Sequence, residues 1–268
     1  MEKEKRKFRI NGYSIYTIIA YFTIYSIAGF IIETLFGILS KGVLESRQSF
    51  LYGPFCAIYG LGAITMIIGL RGCSKNFKSL FFGGFIVGSI IEYVVSLIGE
   101  LIFNVKWWDY SNMPFNLNGR ICIYYSIFWG ILAVIFMQYI HPNIDKFLNK
   151  FRNNFSIKTL KNIIIVLAII QFLDFCITCY ALEMFIIRKV HEYDLNVENK
   201  EEIEIMYNNI YQNKPISDFI YTFFNDKKMI KTFPNLKIED VDKNIIYLDT
   251  LVGDIVPYFY KFNTKMNT

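Results

Sequence analysis

Five long apolar stretches dominate the first 190 or so positions, each broken by only a few polar side chains. They run from about Tyr13 to Leu39, Leu51 to Leu70, Leu80 to Phe103, Ile121 to Ile140 and Leu160 to Ile187. A bilayer core of about 30 Å needs ~20 apolar residues in helix, and backbone groups in lipid must be paired within a helix or a closed barrel. These stretches are continuously apolar, without the in–out alternation of a barrel strand, so each predicts a transmembrane helix. The first follows Lys3, Lys5, Arg6, Lys7 and Arg9, yet it is longer than a signal-peptide core and no small-residue cleavage site follows it, so it is expected to be retained. The fourth is expected to end at His141-Pro142.

After residue 190 the pattern changes. Leu195–Asn213 reads as one helix ended by Pro215, Ile216–Ile230 as another, and Phe233-Pro234-Asn235 as a turn. Aromatics throughout (Tyr207, Tyr211, Phe219, Phe223, Phe224) give this tail a surface to pack with, and no Gly/Ser/Pro-rich linker precedes it, so it is expected to dock. The resulting organisation is a basic segment over 1–12, a five-helix transmembrane domain over 13–189 and a soluble helical tail over 190–268. The fold class is therefore an all-α polytopic membrane protein.

Charge adds orientation. Residues 1–189 hold 19 Lys+Arg against 10 Asp+Glu, a net of +9, whereas residues 190–268 hold 9 against 13, a net of −4. With only 19% charged residues and 54% hydrophobic, a wholly soluble enzyme and a disordered chain are excluded. The basic balance belongs to loops flanking spans and not to nucleic-acid binding. Twelve Lys+Arg fall in the N-terminal segment and in the loops around Arg71, Lys75 and Lys78 and around Lys146, Lys150, Arg152 and Lys158; four (Lys41, Arg47, Lys106, Arg120) fall in the other loops. This bias predicts an inside N-terminus in the cell membrane, and five spans then place the acidic tail outside, against a mild counter-signal from Arg188 and Lys189.

Ionisable groups at membrane depth are functional candidates. In the third stretch Gly84, Gly88, Glu92, Ser96 and Glu100 recur every fourth residue, forming one slowly rotating stripe. Gly84 and Gly88 make a GxxxG pair suited to close helix packing. Glu33 lies in the outer half of the first span, and Asp174 lies mid-way along the fifth with Gln171 and Thr178 around it. With Arg47 and Arg120 at the outer ends, the expectation is an intramembrane polar cluster of Glu33, Glu92, Glu100 and Asp174 partly neutralised by Arg47 and Arg120. Such a cluster could equally lock the bundle or carry protons. In the loop before the fourth span, Trp107, Trp108, Asp109, Tyr110, Asn116 and Asn118 stand out: Trp107 and Tyr110 fit an interfacial belt, and Asp109, Asn116 and Asn118 could cap the next helix or line a vestibule. Gly53-Pro54 has the punctuation of a broken or re-entrant helix start.

No GxxxxGK[ST] is present, and Gly69-Leu70-Arg71-Gly72-Cys73-Ser74-Lys75 has the wrong spacing for a phosphate loop. There is no HExxH or GxSxG; the two histidines are far apart, and Cys176 and Cys179 share a span without a second pair. No enzymatic activity, metal or cofactor is expected.

Glu33, the Phe50-Leu51-Tyr52-Gly53-Pro54…Ile58-Tyr59-Gly60 segment, Glu92-Tyr93 and above all WWDYS…PFNLNGRI (Trp107–Ile121) resemble the CmpB-like ABC-transporter type IV family of bacterial membrane proteins, whose members are usually labelled ABC transporter permeases. The resemblance covers roughly residues 13–190, and Phe233-Pro234-Asn235-Leu236 extends it. Two positions depart from the family pattern: Ser46-Arg47-Gln48-Ser49-Phe50-Leu51, where the family tends to read Asn-Arg-Gly-Phe-Leu, and Phe30, where a tryptophan is common. The resemblance implies a permease subunit that forms a substrate path and relies on a separate ATPase, with the lipid bilayer and a second copy of the chain as further partners. The alternatives are a membrane sensor or scaffold, and a standalone proton-coupled carrier using the intramembrane carboxylates.

Overall fold

A computed structural model describes residues 9–73, 76–103 and 105–262. Lys3, Lys5, Arg6 and Lys7 of the basic segment and Lys75 of the first inner loop lie outside the described residues. The protein is 67% helical with little sheet, as the apolar pattern predicts. A two-residue hairpin, β1 (Arg9–Ile10) with β2 (Tyr13–Ser14), leads into α1 (Ile15–Lys41), and β3 (Val43–Glu45) follows. Next come α2 (Ala57–Gly69), α3 (Phe77–Phe103), α4 (Ile123–Ile135), a π-helical turn over Phe136–Ile140, α5 (His141–Arg152) and α6 (Ile157–Glu192). The tail contains α7 (Lys200–Tyr211), α8 (Lys214–Phe223), α9 (Asp226–Thr232), the antiparallel pair β4 (Lys237–Glu239) and β5 (Ile245–Tyr247), α10 (Leu248–Leu251) and β6 (Tyr258–Lys261), which pairs with β3.

Among the described residues, four helical stretches are long and apolar enough to cross a bilayer: Ile15–Lys41, Phe77–Phe103, Ile123–Lys150 and Ile157–Glu192. The second apolar stretch differs from the expected continuous helix, because only its 13 residues Ala57–Gly69 are helical. Pro54 has no N–H to donate and biases Gly53 away from helical dihedrals, so the chain stays irregular up to Cys56. The fourth stretch differs in the opposite sense. His141-Pro142 does not end it; the helix continues to Arg152. The π-helical turn immediately before widens the backbone ladder where the proline ring would otherwise strike the carbonyl four residues earlier. In the tail, Pro215 stands in the first turn of α8, where its missing N–H has no partner to lose. The predicted Ile216–Ile230 helix is split, and the Asn225 side chain accepts the Lys228 N–H (3.0 Å) to start α9 afresh.

The chain forms two compact units. The first comprises the residues up to Gly29, Ala57–Tyr93 and Tyr110–Phe172; the second comprises Phe30–Cys56, Val94–Asp109 and the residues from Leu173 onward. The first has a core of Tyr21, Tyr25, Met66, Ile67, Leu80, Ala133 and their neighbours. The core of the second resembles that of a soluble domain: Phe185, Ile187 and Val190 of α6 gather Ile203, Ile220, Met229, Ile230, Ile238 and Leu248 of the tail. Along α3, Phe82, Ile86, Ile90, Val94 and Ile98 are exposed at every fourth position, while Gly84, Gly88, Glu92 and Ser96 are buried. An exposed apolar row opposite a buried polar one is the arrangement of a helix facing lipid on one side and protein on the other.

Candidate functional site

Glu92 is the deepest acidic group of α3, 4% exposed. Its carboxylate accepts the Tyr110 O–H at Oε1 (2.9 Å) and the Trp129 indole N–H at Oε2 (3.2 Å). Both donors are neutral. Trp129 reaches Glu92 because α4 lies close against α3: a Cβ on Gly88 would strike the Trp129 side chain, and one on Gly84 would strike Ala133. Tyr110 stacks on Tyr125 at 4.6 Å, and burial, followed by the charge of Glu92, raises its hydroxyl pKa far above the ordinary range. It is thereby kept as an O–H donor.

The rest of the WWDYS…NLNGRI motif builds the loop that carries Tyr110. Asn118 and Gly119 both adopt positive φ (54° and 66°), and the Arg120 N–H closes on the Leu117 carbonyl (3.0 Å), a turn that Asn-Gly suits. The Asn116 amide donates to the Ser111 and Met113 carbonyls, and its oxygen accepts the Gly119 N–H. Asn118 donates to the Tyr93 hydroxyl (3.0 Å), over whose ring the Arg120 guanidinium lies at 5.4 Å. The two asparagines are thus spent on the loop and do not cap α4, whose N-cap, Cys122, makes no side-chain capping bond. Trp108 and Asp109 are partly buried. Trp107 is partly buried and packs with Phe233 against the core of the second unit.

A second polar network of the first unit went unread in the sequence. Tyr21 donates to Asp145, the Tyr25 hydroxyl bonds His141 Nδ1 (2.9 Å), and Thr23 donates to Gln171 (2.9 Å). The signal was available as two i, i+4 pairs, Tyr21/Tyr25 and His141/Asp145, but the expected stop at Pro142 placed Asp145 outside the helix.

In the second unit, Asp174 and Thr178 of α6 hold the irregular start of the second apolar stretch. Three successive backbone N–H groups donate to them: Leu51 to Thr178 Oγ1 (2.8 Å), Tyr52 to Asp174 Oδ1 (3.1 Å) and Gly53 to Asp174 Oδ2 (2.7 Å). Non-helical backbone at membrane depth persists only where protein satisfies it, and charge-assisted bonds to a carboxylate are the stronger kind. A side chain on Gly53 would meet the Phe55 ring and the Asp174 carboxylate. Elsewhere in this unit Arg47 approaches Glu33 at 4.0 Å and pairs with Glu45 at 2.6 Å, while Lys41 also pairs with Glu45 at 2.8 Å. Glu45, 6% exposed, was not singled out in the sequence, although it lies only two residues before Arg47. Glu100 lines a small cleft with Lys106 and Glu239, which pair at 2.7 Å. Of the six residues expected to cluster, Glu92 and Arg120 thus fall in the first unit and Glu33, Arg47, Glu100 and Asp174 in the second, where Glu33 and Arg47 are brought together.

The family model described as "Putative ABC-transporter type IV" matches residues 20–179. The chain belongs to this family. The ABC-transporter type IV match takes in Glu33, Arg47, Glu92, Glu100, the Trp107–Arg120 loop and Asp174, and ends before the tail. No similar curated protein and no similar solved structure was found. Family membership and the apolar helices make the chain a membrane protein related to transport.

Proposed function

We propose that the protein is the permease subunit of a transport assembly in the cell membrane, forming a substrate path while a separate ATPase subunit supplies the work. Membership of the ABC-transporter type IV family over residues 20–179 carries this reading. The sequence carries no phosphate-loop motif, which supports placing nucleotide hydrolysis on a partner. Glu92 is the residue of the path: a buried carboxylate in a spanning helix, held by two neutral donors, is poised for a cation or a proton.

The N-terminus lies inside and the tail outside, which requires residues 51–69 to complete a fifth crossing. The 13 residues of α2 supply about 20 Å of helix. Residues 51–56 are irregular and turn back on themselves, the Ser49 N–H donating to the Phe55 carbonyl (2.6 Å), so the crossing rests on a short helix with an unwound entry, against a hydrocarbon core of about 30 Å. Asp174 and Thr178 supply the acceptors such an unwound entry needs.

Gentle-detergent purification of the full chain is expected to bring down a phosphate-loop ATPase whose hydrolysis rate depends on this subunit, and Glu92→Gln is expected to leave that complex assembled but idle. Purification without any ATPase would overturn the permease reading. A reporter active only outside the cell, fused after residue 262, tests the topology and should be active.

A further inference from the structure

The permease reading makes no use of an apolar groove in the second unit. The groove, about 410 Å³, is lined by Cys176, Ile177 and Tyr180 of α6, Phe219 and Phe223 of α8, and Tyr52. On α6 these residues extend Leu173 at helical spacing into a single exposed row, Leu173–Cys176–Ile177–Tyr180, so the groove continues the apolar face that a spanning helix turns to lipid. Ile220 of α8 points into the core, as does Phe224 just past its end, which also borders the groove, yet a second row, Ile216, Phe219 and Phe223, is exposed. The two rows adjoin on one wide apolar face, part packed and part bare, opposite Asp218 and Thr222, the pattern of a segment lying in the membrane interface. The rim is basic: the Lys228 ammonium stands 3.9 Å above the centroid of the Tyr52 ring, and Lys227 is exposed beside it. Lys228 makes no ion pair among the described residues, because Asp226, the acid nearest in sequence, is engaged by Arg188 and Lys189.

We propose that this groove binds one acyl chain of an anionic phospholipid, with Lys228 pairing to the headgroup phosphate and Tyr52 fixing the ammonium at the rim. The apolar lining, its continuity with the lipid-facing row and the lysine at its mouth match the two halves of that ligand. The site stands whether or not an ATPase partner exists.

The test uses the full chain in nanodiscs doped with phosphatidylglycerol carrying a photoreactive diazirine on one acyl chain, with adducts mapped by peptide mass spectrometry. Adducts are expected to concentrate on Cys176–Tyr180 and Phe219–Phe223, severalfold above those on the exposed α3 row from Phe82 to Ile98. A phosphatidylcholine probe should label the groove severalfold less, and Lys228→Gln should reduce phosphatidylglycerol labelling to that level. Ile177→Trp, which fills the groove, should abolish groove labelling while leaving the α3 row unchanged; Cys176→Phe serves the same end if the first variant does not fold. Equal labelling by the two lipids, or groove labelling no stronger than that of the α3 row, overturns the proposal.

Discussion

The two units bury polar groups by opposite means. In the first, the Glu92 carboxyl is held between a tyrosine O–H and an indole N–H, and the helices around it approach closely across Gly84 and Gly88. In the second, two adjacent cations, Arg188 and Lys189, are almost wholly buried, at 0% and 1% exposure, and answered by acids. Arg188 Nη2 donates to Asp226 Oδ1 (2.6 Å) and to the Phe224 carbonyl (3.0 Å), and Lys189 donates to Asp226 Oδ2 (2.7 Å) and to Glu192. Arg188 Nη1 has no hydrogen-bond partner among the described residues; the guanidinium lies instead over the Tyr221 and Phe185 rings at 5.0 and 5.6 Å. A region facing lipid keeps ionisable groups few and offers them neutral donors, because every extra charge is expensive there. A region with a soluble-type core tolerates full charges provided that their sum is near zero.

Removing a partner from each arrangement breaks the comparison at different depths. Asp226→Ala leaves two buried cations facing Glu192 alone and should destabilise the full chain by about 3 kcal/mol, the lower end for breaking a buried pair, read as the largest fall in thermal midpoint among these variants in detergent. Asp226→Glu should recover much of that loss. Gly88→Leu drives a side chain into Trp129 and should cost about 1–3 kcal/mol by overpacking; Ile86→Leu on the exposed row of the same helix should change the midpoint little. Asp174→Ala strands the Tyr52 and Gly53 N–H groups and should cost about 1–3 kcal/mol. Asp174→Asn, which keeps one acceptor oxygen, should fall measurably less, and equal losses from the two would refute the acceptor role.

The smallest effect lies on the surface of the second unit. The Lys200 ammonium, hydrogen-bonded to Asp194 at 2.5 Å, holds that carboxyl below its ordinary pKa. A carboxyl depressed in the folded state contributes stability at pH values above the unfolded value of about 3.9, and loses it as pH falls through the lower folded value. Lys200→Gln should therefore lower the midpoint slightly near neutral pH, leave it unchanged below the folded pKa of Asp194, and so flatten the acid-side dependence.

Much of this was legible in the chain itself. The apolar runs marked the membrane helices, the GxxxG stripe marked the buried face of α3, and Gly53-Pro54 marked the break in the second stretch. What escaped depended on partners distant in sequence. Arg188 and Lys189 read as flanking charges that orient a span, because Asp226 is nearly forty positions away and its docking against α6 leaves no local pattern. Asp174 read as a member of an acidic cluster, because its acceptor role involves backbone N–H groups that no side-chain pattern records. The Tyr21/Asp145 and Tyr25/His141 bonds were hidden by a proline that a helix normally cannot pass.

That proline is passed by way of the π-helical turn at Phe136–Ile140, and the turn has a geometric consequence of its own. Each residue of an α-helix advances the azimuth by about 100°, so accommodating one surplus residue in a single turn resets the phase of everything downstream. His141 and Asp145 owe their aim at Tyr25 and Tyr21 to that reset. Deleting one residue between Phe136 and Ile140 would restore a regular helix and leave both side chains aimed as they are, whereas regularising the helix at full length would swing them by about 100°, turning an aromatic-lined polar seam into a dry one without altering any of its members.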